Sequence, residues 1–127
     1  LSSGGGLYST AADYLRFAQM LLDEGVLDGV RLLEPETVRE MRRNQLPEEM
    51  IPIGPAWPDA GFGLGFAVSM TEQAGNFFWL GMANTYFWID PDDGLVVFGW
   101  TQLQPVFAAP LDRIMRPIVY EALRAGN

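Results

Sequence analysis

The chain holds four serines, Ser2, Ser3, Ser9 and Ser69. A serine becomes a nucleophile only when a neighbouring group takes its proton. Three residues on, one helical turn away, stand Gly5, Gly6, Ala12 and Glu72, of which only Glu72 ionises. Glu72 falls on a predicted turn, where no buried site raises its carboxyl pKa into a useful range. There is no Lys, His or Cys; all eight basic residues are Arg. That excludes a thiolate nucleophile, a His-based triad, a disulfide and the usual zinc site.

The carboxylates do not replace them. Asp90-Pro91-Asp92-Asp93-Gly94 has the look of a calcium loop, but its spacing is wrong, with Thr101 where a bidentate Glu should stand. It reads as a solvated turn between two apolar runs. The pairs Glu48-Glu49 and Asp92-Asp93 are adjacent acids on loops, a solubility feature rather than an acid and base flanking a bond. No metal or cofactor is expected. The formal net charge of -8 argues against nucleic acid or an anionic membrane as partner. No apolar run approaches the ~20 residues that span a bilayer.

What remains is aromatic. Phe77, Phe78, Tyr86, Phe87, Trp88, Phe98 and Trp100 crowd one stretch and are expected to be mostly core. Trp57 stands in a segment from 47 to 60 that holds Pro47, Pro52, Pro55 and Pro58, a density that neither strand nor helix tolerates. In that loop Trp57 either lines a groove or pins the loop to the core.

The elements that position these residues follow from periodicity. Thr10 and Asp13 make a capping pair for a helix with Tyr14, Phe17, Ala18, Leu21 and Leu22 on one face, closed by Gly25. Asp28-Gly29 predicts a small hairpin, and Pro35 opens a second helix to about Gln45, with Val38 and Met41 inward. From Gly61 to Met70 the period is two, which predicts one strand with Phe62, Leu64, Phe66, Val68 and Met70 on one face and a bare face opposite. Residues 75–102 read as three more strands, the last two a hairpin of Asn84–Asp90 with Leu95–Gln102. Leu111, Ile114, Met115, Ile118, Val119, Ala122 and Leu123 form a helical stripe expected to lie on the sheet, with Pro117 on the solvent side. The class is α+β: an antiparallel sheet of about four strands, the last helix on one face, and the first two helices with the proline-rich loop at an end.

In order along the chain, Gly4-Gly5-Gly6-Leu7-Tyr8-Ser9-Thr10, Phe17-Ala18-Gln19-Met20-Leu21-Leu22, Leu27-Asp28-Gly29-Val30-Arg31-Leu32-Leu33, Gly61-Phe62-Gly63-Leu64-Gly65-Phe66, Trp79-Leu80-Gly81 and Thr85-Tyr86-Phe87-Trp88-Ile89-Asp90-Pro91 resemble the C-terminal part of the serine β-lactamase-like superfamily. That group includes class C β-lactamases, penicillin-binding carboxypeptidases and esterases. The resemblance implies that Trp79-Leu80-Gly81 is the third active-site motif, Lys-Thr-Gly in lactamases and often Trp-x-Gly in esterases, on a strand lining the catalytic groove. It implies Met82 as a backbone oxyanion donor, and Trp79, Leu80 and Gly81, with Trp57 from the proline-rich loop, as substrate-binding residues. The chain departs from the pattern at Leu80, where a small residue is common, and at Asn84, where glycine is.

The family's Ser-x-x-Lys and Tyr-x-Asn motifs precede the third motif, and without Lys the first cannot occur here. The expectation is therefore that residues 1–127 are a single domain or fragment: the C-terminal part of a hydrolase acting on a small-molecule ester or amide through an acyl-enzyme, inactive alone. The other reading is a self-standing module that binds through its sheet edge or aromatic groove. The resemblance also implies that the last strand is left without its usual neighbour, so self-association through an exposed strand edge is expected.

Overall fold

The structure, a computed structural model, describes residues 5–71, 74–104 and 109–126. Ser2, Ser3 and Glu72 lie outside the described residues. The first helix, α1 (Ala11–Leu22), starts as its sequence dictates, with the Thr10 hydroxyl accepting from the Asp13 N–H at 3.1 Å. The chain then turns back at Gly25, φ +92°, where any Cβ would overlap the Leu33 carbonyl. Strands β1 (Val26–Leu27) and β2 (Val30–Arg31) form the small hairpin, its Asp28-Gly29 turn at φ +51° and +78°. The second helix, α2 (Pro35–Met41), stops earlier than its pattern suggested. Arg42 caps it, and Asn44 and Gln45 turn to the sheet edge instead.

Five antiparallel strands make the main sheet, in the order β3 (Ala60–Phe62), β4 (Ala67–Ser69), β5 (Phe77–Leu80), β6 (Tyr86–Asp90) and β7 (Leu95–Gly99). Four were expected. The extra one arises because the stretch from Gly61 to Met70 folds into a hairpin rather than running straight. Gly65 takes φ +102°, the Gly63 N–H donates to the Phe66 carbonyl, and Leu64 and Met70, expected to share the bulky face of one strand with Phe66 and Val68, are exposed while those two are buried. The alternation of glycines read as a bare face is in part the flexibility the turn needs.

The register assigns the two faces. Phe77, Ile89 and Val96 pair across β5, β6 and β7 and pack with Ala18 and Leu21 of α1, Val38 of α2 and Phe66. Their neighbours Phe78, Trp88 and Val97 point the other way, against Leu111, Met115 and Val119 of α3 (Leu111–Ala125). Helix α1 thus covers a face of the sheet instead of sitting at an end, and the molecule is helix, sheet, helix.

Helix α3 also sits rotated from the expected orientation. Ile114 and Ile118 are half exposed, while Asp112 and Tyr120 are buried. The pull comes from polar anchors on the other flank. The Tyr120 hydroxyl donates to Asp90 Oδ2 at 2.6 Å, Asn76 Nδ2 donates to the same oxygen at 3.0 Å, and the Asp92 and Asp93 N–H groups donate to Asp90 Oδ1. The Arg116 guanidinium lies over the rings of Trp88 and Phe78, 4.8 and 5.0 Å from their centroids. Pro117 is on the exposed face, as its position in the stripe required.

This anchor makes stability depend on pH at both ends. Burial pushes the Asp90 carboxyl up, but the bonds from Tyr120, Asp93, Asn76 and Asp92 together outweigh it and hold its pKa below the ordinary value. Its contribution is present above about pH 3.9 and is lost as pH falls through the folded value. Burial and the Asp90 hydrogen bond push Tyr120 up to about 12. Its contribution is complete below about pH 10 and is lost between there and about 12. Tyr120→Phe is expected to cost about 1–2 kcal/mol at neutral pH. It should also flatten part of the alkaline loss of stability, the rest belonging to Tyr14 and Tyr86, whose pKa values burial also raises. Urea unfolding at stepped pH checks both; an unchanged alkaline slope contradicts the assignment.

Candidate active site groove

Strand β5 ends in Trp79-Leu80, and Gly81 begins the turn into β6. The Gly81 N–H donates to the Thr85 carbonyl at 2.8 Å and the Asn84 N–H to the Gly81 carbonyl at 3.0 Å, so residues 81–85 close tightly on themselves. Asn84 adopts φ +62°, which explains how asparagine stands where the resembled family commonly has glycine. Its buried side chain donates to the Ala109 carbonyl, while the Ala83 carbonyl accepts from the Thr101 hydroxyl and the Leu103 N–H. The turn is therefore braced by the segments that follow β7. Neither Thr101 nor Asn84 was read as a support for the site; the signal available was an asparagine where the chain needs a left-handed residue.

Gly81 has no room for a side chain, because a Cβ would overlap the Thr85 hydroxyl. Gly99 is held to glycine in the same way by the ring of Tyr86, which crosses it in the β6–β7 register. The space that results is a groove of about 190 Å³ lined by Trp79, Leu80, Gly81 and Thr85, by Phe87, Phe98 and Trp100, and by Tyr14 of α1. Its aromatic walls contact one another: Tyr14 meets Phe87 edge-on at 5.6 Å and Trp100 at 6.1 Å. Among the described residues no charged side chain lines it.

Of the residues singled out from sequence, Trp79, Leu80 and Gly81 meet in this groove. Met82 follows Gly81 with its side chain exposed, and among the described residues no group accepts from its N–H. Trp57 stands elsewhere. It stacks on Trp79 at 5.6 Å, and with Leu80, Pro110 and Arg113 it lines a second cleft of about 360 Å³. It both pins its loop and lines a cleft, so the two readings of it were not exclusive; Leu80 is common to both spaces.

Of the serines within the described residues, Ser9 is exposed, its hydroxyl donating to the Thr10 carbonyl, and Ser69 lies in β4 away from the groove. Among the described residues the groove lining is largely apolar and holds no serine, and the Met82 N–H lies one residue beyond Gly81 of that lining. Among the described residues no cluster of three or more metal-ligating side chains occurs, and no helix is long and apolar enough to cross a membrane.

A family model described as Beta-lactamase matches residues 2–119. Rv1367c, a Mycobacterium tuberculosis protein, is 41% identical over 111 residues, covering 76% of this chain and 27% of its own length. The chain therefore spans about a quarter of that relative. Among solved structures, unliganded simvastatin synthase (LovD) from Aspergillus terreus superposes with TM-score 0.63 at 25% identity, over 80% of this chain and 31% of that one. EstCE1, described as a hydrolase with promiscuous acyltransferase activity, superposes with TM-score 0.61 at 25% identity, over 74% and 25%. With the glycine-terminated β5, the braced turn and a match across nearly its whole length, the chain belongs to the Beta-lactamase family.

Proposed function

We propose that this chain supplies the groove strand of a serine hydrolase that acts on a small-molecule ester or amide through an acyl-enzyme. The nucleophilic serine and its lysine would come from sequence outside these residues, and the chain would be inactive alone. The observation that carries the reading is the Met82 N–H, which no described residue uses, one residue beyond a glycine that keeps the end of β5 bare. A tetrahedral intermediate concentrates negative charge on the former carbonyl oxygen, and two N–H donors aimed at that oxygen are what acyl transfer requires. Here Met82 would provide one and the nucleophile's own N–H the other.

Supporting the substrate class, LovD is a simvastatin synthase and EstCE1 a hydrolase with acyltransferase activity. The groove's lack of charge suits a neutral acyl group better than a carboxylate-bearing lactam, in keeping with Trp79 where lactamases carry Lys. The second reading, a binding module without catalysis, draws on the aromatic groove and on the β7 edge, which no described strand pairs.

Hydrolysis of a p-nitrophenyl ester separates the two. The chain alone is expected to run at the uncatalysed rate. A chimera with residues 5–126 in place of the matching segment of Rv1367c is expected to turn over well above it. A chimera that folds but stays at background, while Rv1367c itself is active, favours the binding module.

A further inference from the structure

The Met82 N–H sits in a turn whose direction is fixed from outside the turn. The Asn84 N–H donates to the Gly81 carbonyl at 3.0 Å, which makes residues 81–84 a β-turn with Met82 and Ala83 at its centre. Such a turn uses the N–H of its last residue, so that of Met82 is left over by its construction. The Gly81 carbonyl and the Met82 N–H belong to one planar trans peptide and point in opposite directions. With the carbonyl held inward by Asn84, the N–H is turned outward.

The peptide is therefore only as steady as Asn84 and Ala83. Three hydrogen bonds steady them, and all three come from the stretch between β7 and α3. The Ala83 carbonyl accepts twice, from the Thr101 hydroxyl and from the Leu103 N–H at 3.1 Å. The buried Asn84 side chain donates to the Ala109 carbonyl. Asn84 also takes φ +62°, a conformation that glycine adopts freely. Glycine at this position would keep the backbone and lose the anchor to Ala109.

We infer that Asn84 and Thr101 are positioning residues for the proposed reaction: they fix the plane of the Gly81–Met82 peptide and so aim the Met82 N–H at the acyl oxygen. The inference rests on the reading of Met82 as an oxyanion donor. As the serine oxygen bonds to the acyl carbon, the C=O π pair moves onto the acyl oxygen, and the donor stabilises that charge more than the ground-state carbonyl. Loosening the turn therefore lowers kcat and leaves KM nearly unchanged.

Two measurements test this, one on the chain and one on the chimera carrying residues 5–126 in Rv1367c. In the chain, backbone amide NMR relaxation should show Met82 as rigid as the strands, with an order parameter of about 0.85. Asn84→Gly and Thr101→Val should each lower it below about 0.6 while β5 and β6 stay rigid. In the chimera, Thr101→Val should lower kcat for a p-nitrophenyl ester about tenfold and Asn84→Gly about 10–100-fold, with KM within about twofold. Thr101→Ser, which keeps the hydroxyl, should retain most of the rate. The matching thionoester, whose sulfur accepts hydrogen bonds weakly, should lose far less, so the ester-to-thionoester rate ratio falls with kcat. A Met82 amide as rigid in both variants as in the unaltered chain overturns the inference, whatever the chimera does. An active chimera whose kcat neither variant changes, or a loss shared equally by ester and thionoester, overturns it and leaves the groove-strand reading standing. A chimera that folds without turnover, where Rv1367c is active, fails that reading, and the positioning role falls with it.

Discussion

Gly81→Val, made in the chimera that turns over ester, is expected to lower kcat/KM by about 10²–10³-fold, the loss that follows removal of one oxyanion donor. The β carbon would overlap the Thr85 hydroxyl as it stands. With the bulk of valine, Thr85 and the turn from 81 to 85 must shift, and the Met82 N–H moves with them. Displacement of such a donor by about 1 Å is enough for a loss of this order. The fold should survive, since the clash meets a side chain that can rotate and β5 ends before it. Gly81→Ala with and without Thr85→Ala distinguishes two roles for the glycine. Removing the hydroxyl lets the turn close again and should recover both the lost stability and the rate. A rate that stays low while stability returns would mean that the loss does not run through the Thr85 overlap and the displaced Met82 N–H.

Trp88→Ala is expected to destabilise the chain by about 4 kcal/mol, a large share of the ~5–15 kcal/mol that holds a domain together. Trp88 is fully buried between the sheet and α3, stacked on Tyr86 at 5.9 Å with the Arg116 guanidinium over its ring. Truncation opens a cavity at the centre of that layer and leaves the cation only the Phe78 ring of its two aromatic partners. Trp88→Phe should cost far less, about 1 kcal/mol. The indole Nε1–H is buried with no acceptor among the described residues, so removing that donor offsets part of the lost packing. Chemical denaturation reads both. A Trp88→Phe loss as large as that of Trp88→Ala would contradict this packing account, since both variants remove the N–H and differ only in the ring.

These two sites differ in how far they could be read from residues alone. The strands of the aromatic stretch, the Thr10 cap and the Asp28-Gly29 hairpin each rest on a local rule, and each is where that rule places it. Where local rules failed, a non-local partner decided. Period two from Gly61 to Met70 is compatible with one strand or with a hairpin, and only the Gly63–Phe66 hydrogen bond chooses. The stripe on α3 does not say which flank meets the sheet. Tyr120, reaching Asp90 and Asn76 across 30 and 44 residues, settles that and leaves Ile114 and Ile118 outside. Within the groove, Trp79, Leu80 and Gly81 are consecutive and were bound to meet. Tyr14 and Trp100 join them only because α1 lies on that face of the sheet.

The most direct measurement is intact-mass analysis, with peptide mapping, after treatment with a fluorophosphonate. It is applied to the chain alone and to the chimera carrying residues 5–126 in Rv1367c. The chain alone should stay unmodified, and the chimera should gain one adduct on a serine of the Rv1367c portion. An adduct on Ser9 or Ser69 of the chain alone, or a folded chimera left unlabelled where Rv1367c is labelled, would contradict the assignment of this chain as the groove-forming part of a serine hydrolase.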